Sequence, residues 1–317
     1  MNQETEVNNN NSQFYLANIS SGQDTFGSLE TDKCKIYAVF DGHGGDSISK
    51  ALANGNESHG SLLNILSKNL EEMVEGIDPV STIKSSFVEM DKLLSKVYTG
   101  IVGSTATVAI QYQENLYIAY VGDGDAVVLE DDKLILKTLS HNTIDNSEEE
   151  ERITSAGVSK TLANGFEVTS QTEAKIINGY YYNFLNRVVV DSLAMTRAFG
   201  HGSVKINLNT SKYREDCPLI AEPTVHKISL DSSKKIQVVM GSDGLWDVIN
   251  KQNIETEIKD LIKLGVDSQR DISEVIGKFA EDRWKQTWNI SHNDSVFEYT
   301  MTHKIQWDDI VVCYLEF

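Results

Sequence analysis

Three apolar runs in this chain stop at the same dipeptide. Ala38-Val39-Phe40 runs into Asp41-Gly42, Ala119-Tyr120-Val121-Gly122 into Asp123-Gly124, and Val239-Met240-Gly241-Ser242 into Asp243-Gly244. A further acidic pair, Asp308-Asp309, stands directly before the apolar run at 310–315. One Asp-Gly after a strand is an ordinary turn, because Gly supplies positive φ and Asp bonds its own backbone. The repetition constrains more. Strands of one sheet or sandwich can bring their ends to a single edge, and four carboxylates gathered there repel one another unless a cation sits among them. Carboxylates, carbonyls and waters are the ligands of a hard divalent metal, Mg²⁺ or Mn²⁺, whereas zinc draws on His or Cys. Glycine after each Asp permits close backbone approach, so the carbonyl of Gly42 is itself a candidate ligand.

The patterning around these turns predicts an α+β fold. Residues 35–40, 105–110, 116–121, 126–129, 236–240 and 310–315 read as strands, and 46–70, 81–98, 254–264 and 272–284 carry apolar residues at helical spacing, with Trp284 and Trp288 on the last pattern. The acidic run Glu148 to Glu151 reads as a solvated helix start capped by Ser147 with Glu150. Between Val158 and Val190 a polar stretch with Tyr180, Tyr181, Tyr182 and Phe184 reads as an extra hairpin or flap. Strand and helix blocks without regular βαβ alternation indicate mainly antiparallel sheets. With 317 residues, 40% of them hydrophobic, and no repeat or low-complexity linker, the expectation is a disordered polar tail over 1–13 and a single domain over 14–317.

Charge and cysteine usage bound the partners. The 47 acidic residues outnumber 28 basic ones, a net charge of −19, and no Arg precedes Arg152. Nucleic acid and anionic membrane surfaces, which need basic patches, are therefore not expected partners. An anionic substrate needs a local device against this field, and bound divalent cations are one. Cys34, Cys217 and Cys313 are odd in number and widely spaced, which suggests neither a disulfide framework nor a zinc knuckle and fits a reducing compartment. The Asn-rich start has no apolar signal segment, Asn2 replaces the glycine of a myristoylation signal, and no 18-residue apolar run occurs. These features predict an intracellular protein, cytoplasmic or nuclear, without membrane insertion.

Seven segments then occur in a familiar order: Val39-Phe-Asp-Gly-His-Gly-Gly45, Gly103-Ser-Thr-Ala106, Val121-Gly-Asp123, Glu151-Arg-Ile153 with Ala156-Gly157, Leu193-Ala-Met-Thr-Arg-Ala-Phe-Gly200, Gly241-Ser-Asp-Gly-Leu-Trp-Asp-Val248 and Asp308-Asp-Ile-Val-Val312. In these the chain resembles the protein phosphatase 2C family of metal-dependent serine/threonine phosphatases. The resemblance implies a central β-sandwich of two antiparallel sheets flanked by helices, with a flap over about residues 142–215. It implies two Mg²⁺ or Mn²⁺ ions at one edge, with a weaker third. By position, Asp41 would bridge both metals, Gly42 would ligate through its carbonyl, and Asp243 and Asp308 would complete the pair. Asp24, in Gly22-Gln-Asp-Thr25, would act through metal-bound water, and Asp123 and Asp247 would surround the third ion. A phosphoprotein is the implied substrate, attacked by a water activated between the two metals. His43, two residues beyond Asp41 in a glycine-flanked loop, would protonate the departing serine or threonine oxygen as general acid. No regulatory partner is indicated.

The chain departs from the family pattern at identifiable places. Ile19 stands where many members have the Arg that grips the substrate phosphate, and Arg187, Lys33 or Lys35 are candidate replacements. Gly124-Asp125 replaces Ser-Arg, Ser140-His141 replaces Asp-His, and His201 replaces the Asp that follows Arg-Ala-Phe-Gly. Arg197 is expected to anchor the flap or a carboxylate, Leu245 and Trp246 to pack beneath the loop, and Ser104 and Thr105 to start a strand. Intact Asp41, Asp243, Asp308 and His43 favour an active phosphatase. The alternative is a pseudophosphatase, a binding or scaffold protein of the same fold that hydrolyses poorly.

Overall fold

The computed structural model describes residues 12–74, 76–142, 146–155, 175–177, 180–181, 195–207, 210–250, 252–292, 295–300 and 307–317. Ten strands form its centre: β1 (Ser12–Ala17), β2 (Thr25–Glu30), β3 (Cys34–Phe40), β4 (Ala106–Tyr112), β5 (Asn115–Val121), β6 (Asp125–Glu130), β7 (Lys133–Lys137), β8 (Thr224–Ser229), β9 (Ile236–Gly241) and β10 (Ile310–Glu316). They make two five-stranded sheets, ordered β1-β10-β9-β6-β7 and β8-β5-β4-β3-β2. Every pairing is antiparallel.

Side-chain alternation shows how the layers are held. Phe14, Leu16, Val128, Val238, Met240, Val311 and Cys313 of the first sheet meet Tyr37, Val39, Ala109 and Ile118 of the second in one buried core. Their neighbours Tyr15, Val127, Val239, Val312 and Tyr314 point the other way, onto α5 (Ile254–Ser268) and α6 (Ile272–Trp284). On the opposite outer face Ile36, Ala38, Phe40, Val108 and Ile110 pack against α1 (Ser47–Asn54), α2 (Leu62–Glu71) and α3 (Pro79–Val97). Strands covered on both faces read as continuous apolar runs, which is why β3, β9 and β10 were conspicuous in the sequence. The edge strands β2, β7 and β8 alternate between partly buried and exposed positions and carry no such run. They went unpredicted. No helix among the described residues is long and apolar enough to cross a membrane.

Several expectations are corrected. Ser12 and Gln13, read as tail, belong to β1, which pairs residue by residue with β10, and the Gln13 side chain accepts a hydrogen bond from Ile272 N at 2.6 Å. The helical pattern over 46–70 is two helices. It breaks at Gly55, whose φ of 74° suits glycine, and restarts at Ser61, which forms a capping box with Asn64. The helix after residue 146, α4 (Ser147–Ser155), is capped by Asn146, whose Oδ1 accepts from Glu149 N at 3.2 Å, and not by Ser147 with Glu150. Trp288 leaves the helical pattern and lies in a strand, Thr287–His292, that pairs with Ser295–Thr300 and with Lys175–Ile177. Tyr180 and Tyr181 form a strand against Lys175–Ile177, as a hairpin requires. Tyr182, Phe184 and much of the flap lie outside the described residues.

Candidate metal centre

Strand register brings the acidic turns together. The end of β3 lies beside the start of β4, and the start of β4 beside the end of β5, through Val39 with Thr107 and Ala106 with Val121. In the other sheet Gly241, the end of β9, pairs with both Asp125 and Val312. Asp41, Asp123, Asp243 and Asp308 therefore emerge at one edge of the sandwich. Oxygen atoms of Asp41, Asp123 and Asp243 all lie within 4.8 Å of one another. Asp308 and Asp247 stand near enough for their charges to act on Asp243.

The electrostatics are those of an anionic cluster that no described Lys or Arg pairs with. Burial, followed by the charges of Asp243, Asp24, Asp123 and Asp308, holds the Asp41 carboxyl well above the ordinary range. Asp243 is raised in the same way by burial and then by Asp308 and Asp123. Burial and Asp247 push Asp308 up to about 6. Asp24 is raised by burial and by Asp309 and Asp308, against a lowering hydrogen bond from Ser242, and its buried Oδ2 has no hydrogen-bond partner. Among the described residues, no Lys or Arg forms an ion pair with Asp24, Asp41, Asp243 or Asp308. All the donors are oxygens, so the residues fit a hard divalent cation.

Asp24 arrives by a route the sequence did not disclose. Asp309, read only as the second half of an acidic pair, accepts from the backbone N–H of Ser20 (2.7 Å), Gly22 (2.6 Å) and Gln23 (3.1 Å) and from Ser21 Oγ (2.7 Å). It draws the loop before β2 onto the sheet edge. Two adjacent carboxylates thus divide the labour, Asp308 facing the cluster and Asp309 holding the loop that carries Asp24. Gly42 admits that loop, since a Cβ there would lie 2.6 Å from Gln23 O. Below the cluster, Trp246 Nε1 donates to Asp125 O at 2.9 Å and Trp284 Nε1 to Gly244 O at 2.7 Å, which locks the Asp243 turn to both flanking layers. Buried Leu245 and Trp246 pack as expected.

The departures from the family pattern resolve separately. Ile19 is packed against the hydrophobic core. Lys33 and Lys35 lie at the opposite end of β3 from Asp41, a span of ~20 Å from Lys35 at the usual strand rise, and Lys33 instead donates to Glu71 O. Neither can replace the missing Arg. Arg187 lies outside the described residues. Arg197 binds Glu149 (Nη2 to Oε1, 2.5 Å) and Glu222 O (2.7 Å), the anchoring role expected of it. Glu149 corrects the reading of a solvated acidic run, being buried and also bound to Arg152 (2.8 Å) and Thr196. Asp125 accepts from Thr138 (2.7 Å) and Ser140 (2.9 Å). His141 stacks on Tyr120, accepts from Gly122 N through Nδ1, and is held at about 3 by burial.

The last departure, His201, sits against His43. A small sheet orders them: Gly42–His43 pairs with Gly103–Ser104, which pairs in turn with Phe199–Gly200. The two Nε2 atoms are 2.5 Å apart, with ring centroids 4.7 Å apart and ring planes inclined by 19°, so the rings meet edge to edge. Burial lowers His43 to about 4, and burial with the nearby His43 and Lys205 lowers His201 to about 3. Beneath them Lys205, fully buried, binds Asp91 at 2.8 Å, while Asp91 also accepts from Gly200 N (2.8 Å) and Tyr213 OH (2.7 Å).

Comparison with known proteins agrees with this arrangement. The family model for Protein phosphatase 2C matches residues 2–286. "Probable protein phosphatase 2C 44" of Oryza sativa subsp. japonica is 30% identical over 237 residues, 74% of this chain and 60% of that protein. "Protein phosphatase 2C homolog 3" of Schizosaccharomyces pombe is 31% identical over 231 residues, 72% of this chain and 47% of the relative. The chain thus matches about half to three-fifths of the length of these relatives. Among solved structures, a phosphatase from a pathogenic strain of Toxoplasma gondii superposes with a TM-score of 0.63 at 18% identity, covering 98% of this chain and 93% of that one. A C. elegans sex determining protein gives 0.62 at 19%, covering 93% and 61%. At such identities these two report the fold alone. Asp308 falls beyond the matched residues, yet its strand β10 lies between β1 and β9 inside the first sheet. A family match over nearly the whole chain, on a sandwich whose strand ends converge as the motifs require, shows that this chain belongs to the protein phosphatase 2C family.

Proposed function

We propose that this protein hydrolyses phosphoserine and phosphothreonine esters in protein substrates with the help of two Mg²⁺ or Mn²⁺ ions. Asp41, the Gly42 carbonyl, Asp243 and Asp308 would hold the pair, Asp24 would assist through water, and Asp123 with Asp247 would serve a weaker third ion. The observation that carries this reading is the convergence of Asp41, Asp123 and Asp243 oxygens within 4.8 Å. When bound, such cations acidify water and offset charge on phosphoryl oxygens. The chain's own part is to place oxygen ligands at strand ends that cannot drift apart: Asp41, Asp123 and Asp243 each stand between an antiparallel strand and a glycine, and Asp308 directly precedes β10.

Hydrolysis breaks the ester P–O bond, joins a water oxygen to phosphorus and leaves a serine or threonine oxygen that needs a proton. His43, two residues from Asp41, is the group assigned to give it. The ring is neutral in the cation-free protein, and a phosphate dianion arriving beside it favours the protonated form. A second reading has a specific observation behind it. Ile19 is committed to the core, and Lys33, Lys35 and Arg197 are placed elsewhere, so a pseudophosphatase that binds cations and turns over poorly is the alternative.

The test is phosphate release from a phosphothreonine peptide with Mn²⁺, with Mg²⁺ and with EDTA, alongside calorimetry of Mn²⁺ binding. Metal-dependent release supports the enzyme. Binding without release leads to the scaffold reading. In an active enzyme, His43→Ala depresses turnover of the peptide more than that of p-nitrophenyl phosphate, whose leaving group needs little protonation; equal losses remove His43 from the role of acid.

A further inference from the structure

The contact between His43 and His201 restricts both rings. A neutral imidazole carries one N–H and one bare nitrogen. Two Nε2 atoms 2.5 Å apart have room for one hydrogen between them. Two bare nitrogens repel at that distance and two N–H groups collide, so the rings must take complementary states. His43 therefore cannot choose its tautomer without His201.

His201 is held firmly enough to impose this. Its φ of 55° is left-handed, and it begins the single helical turn Gly202–Lys205. Lys205 ties that turn to Asp91, and Gly200 N donates to the same carboxylate. Gly103, on the strand between the two histidines, leaves them space: a Cβ there would lie 2.0 Å from His201 Nε2 and 2.6 Å from His43 Nε2. The residue standing at 201 in the family pattern is Asp, which when ionised only accepts. His can accept or donate, and the near-coplanar, edge-to-edge contact of the two rings restricts the orientation of both.

We propose that His201 is a positioning residue for the proposed phosphatase reaction, one that fixes the ring of His43 and determines which His43 nitrogen carries the hydrogen offered to the leaving oxygen. This rests on the reading of His43 as the acid. His201 acts through His43, so its effect falls where the leaving group needs a proton.

The experiment compares wild type, His201→Ala and His201→Asp, each checked for fold by circular dichroism and for Mn²⁺ binding by calorimetry. Turnover is measured on a phosphothreonine peptide and on p-nitrophenyl phosphate, and the His43 nitrogens are followed by long-range ¹H–¹⁵N NMR. The expected result for His201→Ala is a fall of about tenfold or more in kcat on the peptide and less than about threefold on p-nitrophenyl phosphate, with KM unchanged. His43 should pass from one tautomer to a mixture. His201→Asp should restore most of the peptide turnover, because a carboxylate at that place pairs with a hydrogen on His43 Nε2 and favours the protonated ring, whose second hydrogen, on Nδ1, is then the one given to the leaving oxygen. Equal losses on both substrates, a change in KM alone, or unaltered His43 signals in His201→Ala overturns the proposal. Absence of metal-dependent turnover in wild type would instead defeat the reading of His43 as acid, and the NMR comparison would still decide whether His201 sets its tautomer. Should His201→Ala not fold, His201→Asp carries the test: its obligate acceptor must place the hydrogen on His43 Nε2 in the same spectra, and any other tautomer overturns the assignment.

Discussion

Asp91 and Glu149 are buried, as Asp24 and Asp123 are, yet each of the first two comes with cations supplied by the chain. Asp91 has Lys205 and Tyr213; Glu149 has Arg152, Arg197 and Thr196. Asp24, Asp41, Asp243 and Asp308 face one another at the sheet edge, and no described Lys or Arg is paired with any of the four. The contrast separates two uses of a buried carboxylate. One compensated from within holds segments together, here the Ala198–Lys205 turn on α3 and α4 on residues 196–197. Carboxylates whose mutual repulsion is met by hydrogen bonds but by no cation store unfavourable energy that a ligand from outside relieves, and such sites trade stability for function.

The largest effect should come from Asp243→Asn. With Mn²⁺ present, peptide turnover should fall by about a thousandfold, ~4 kcal/mol of barrier. In EDTA the same variant should melt no lower than wild type, and a few degrees higher if ~1 kcal/mol of repulsion is relieved. The sign follows from the raised carboxyl values: ionisation is disfavoured in the folded metal-free chain, so neutralising one member favours folding. Mn²⁺ should raise the melting temperature of wild type and not of the variant. A metal-free variant that melts well below wild type would place Asp243 among the internally compensated carboxylates and erase the contrast.

Lys205→Met should act in the opposite sense, destabilising by about 3 kcal/mol or more in urea unfolding because Asp91 is left buried without its cation. Adding Asp91→Leu should recover part of that loss. A single variant as stable as wild type would show that the buried pair does not hold the turn.

Glu149→Gln should cost less, about 2 kcal/mol, since the amide keeps part of the hydrogen bonding to two arginines. Here pH sharpens the comparison. Burial pushes the Glu149 carboxyl up, but hydrogen bonds from Arg197, Arg152 and Thr196 outweigh it and hold it well below the usual range. A depressed carboxyl contributes fully above its unfolded value and loses that contribution as pH falls below it. The stability gap between wild type and Glu149→Gln should therefore be constant from neutrality down to about pH 5 and shrink only in stronger acid. A gap that widens on acidification would contradict the assignment.

Legibility in the sequence followed burial on both faces wherever the apolar run was long; β1, also covered on both faces, was missed because its run is only Phe14–Ala17 behind a polar start. Strands β3, β5, β9 and β10, covered above and below, were visible as apolar runs, and with them the carboxylates at their ends. The edge strands β2, β7 and β8 were not, because a half-exposed strand has no continuous run to read. The acidic run at 148–151 misled for a related reason: charge spacing records that a helix begins, and cannot record that Arg197, 48 positions beyond Glu149, folds back onto it.

By itself, the amino-acid order determined which strands are central, where they stop and that oxygen-donor side chains stand at those stops, since these are local matters of apolar runs and Asp-Gly turns. It also carried the ordered motifs by which the family is recognised. Tertiary structure alone decided which carboxylates remain uncompensated. Asp308 and Asp309 are neighbours of identical chemistry, and only the return of the Ser20–Gln23 loop, nearly 290 residues away in sequence, assigns Asp309 to holding that loop and leaves Asp308 to the cluster. The pairing of His43 with His201, 158 residues apart, is of the same kind. Compensation of a buried charge depends on what lies within a few ångströms of it, and for residues so far apart in the chain that proximity is set by the packing of sheets and loops.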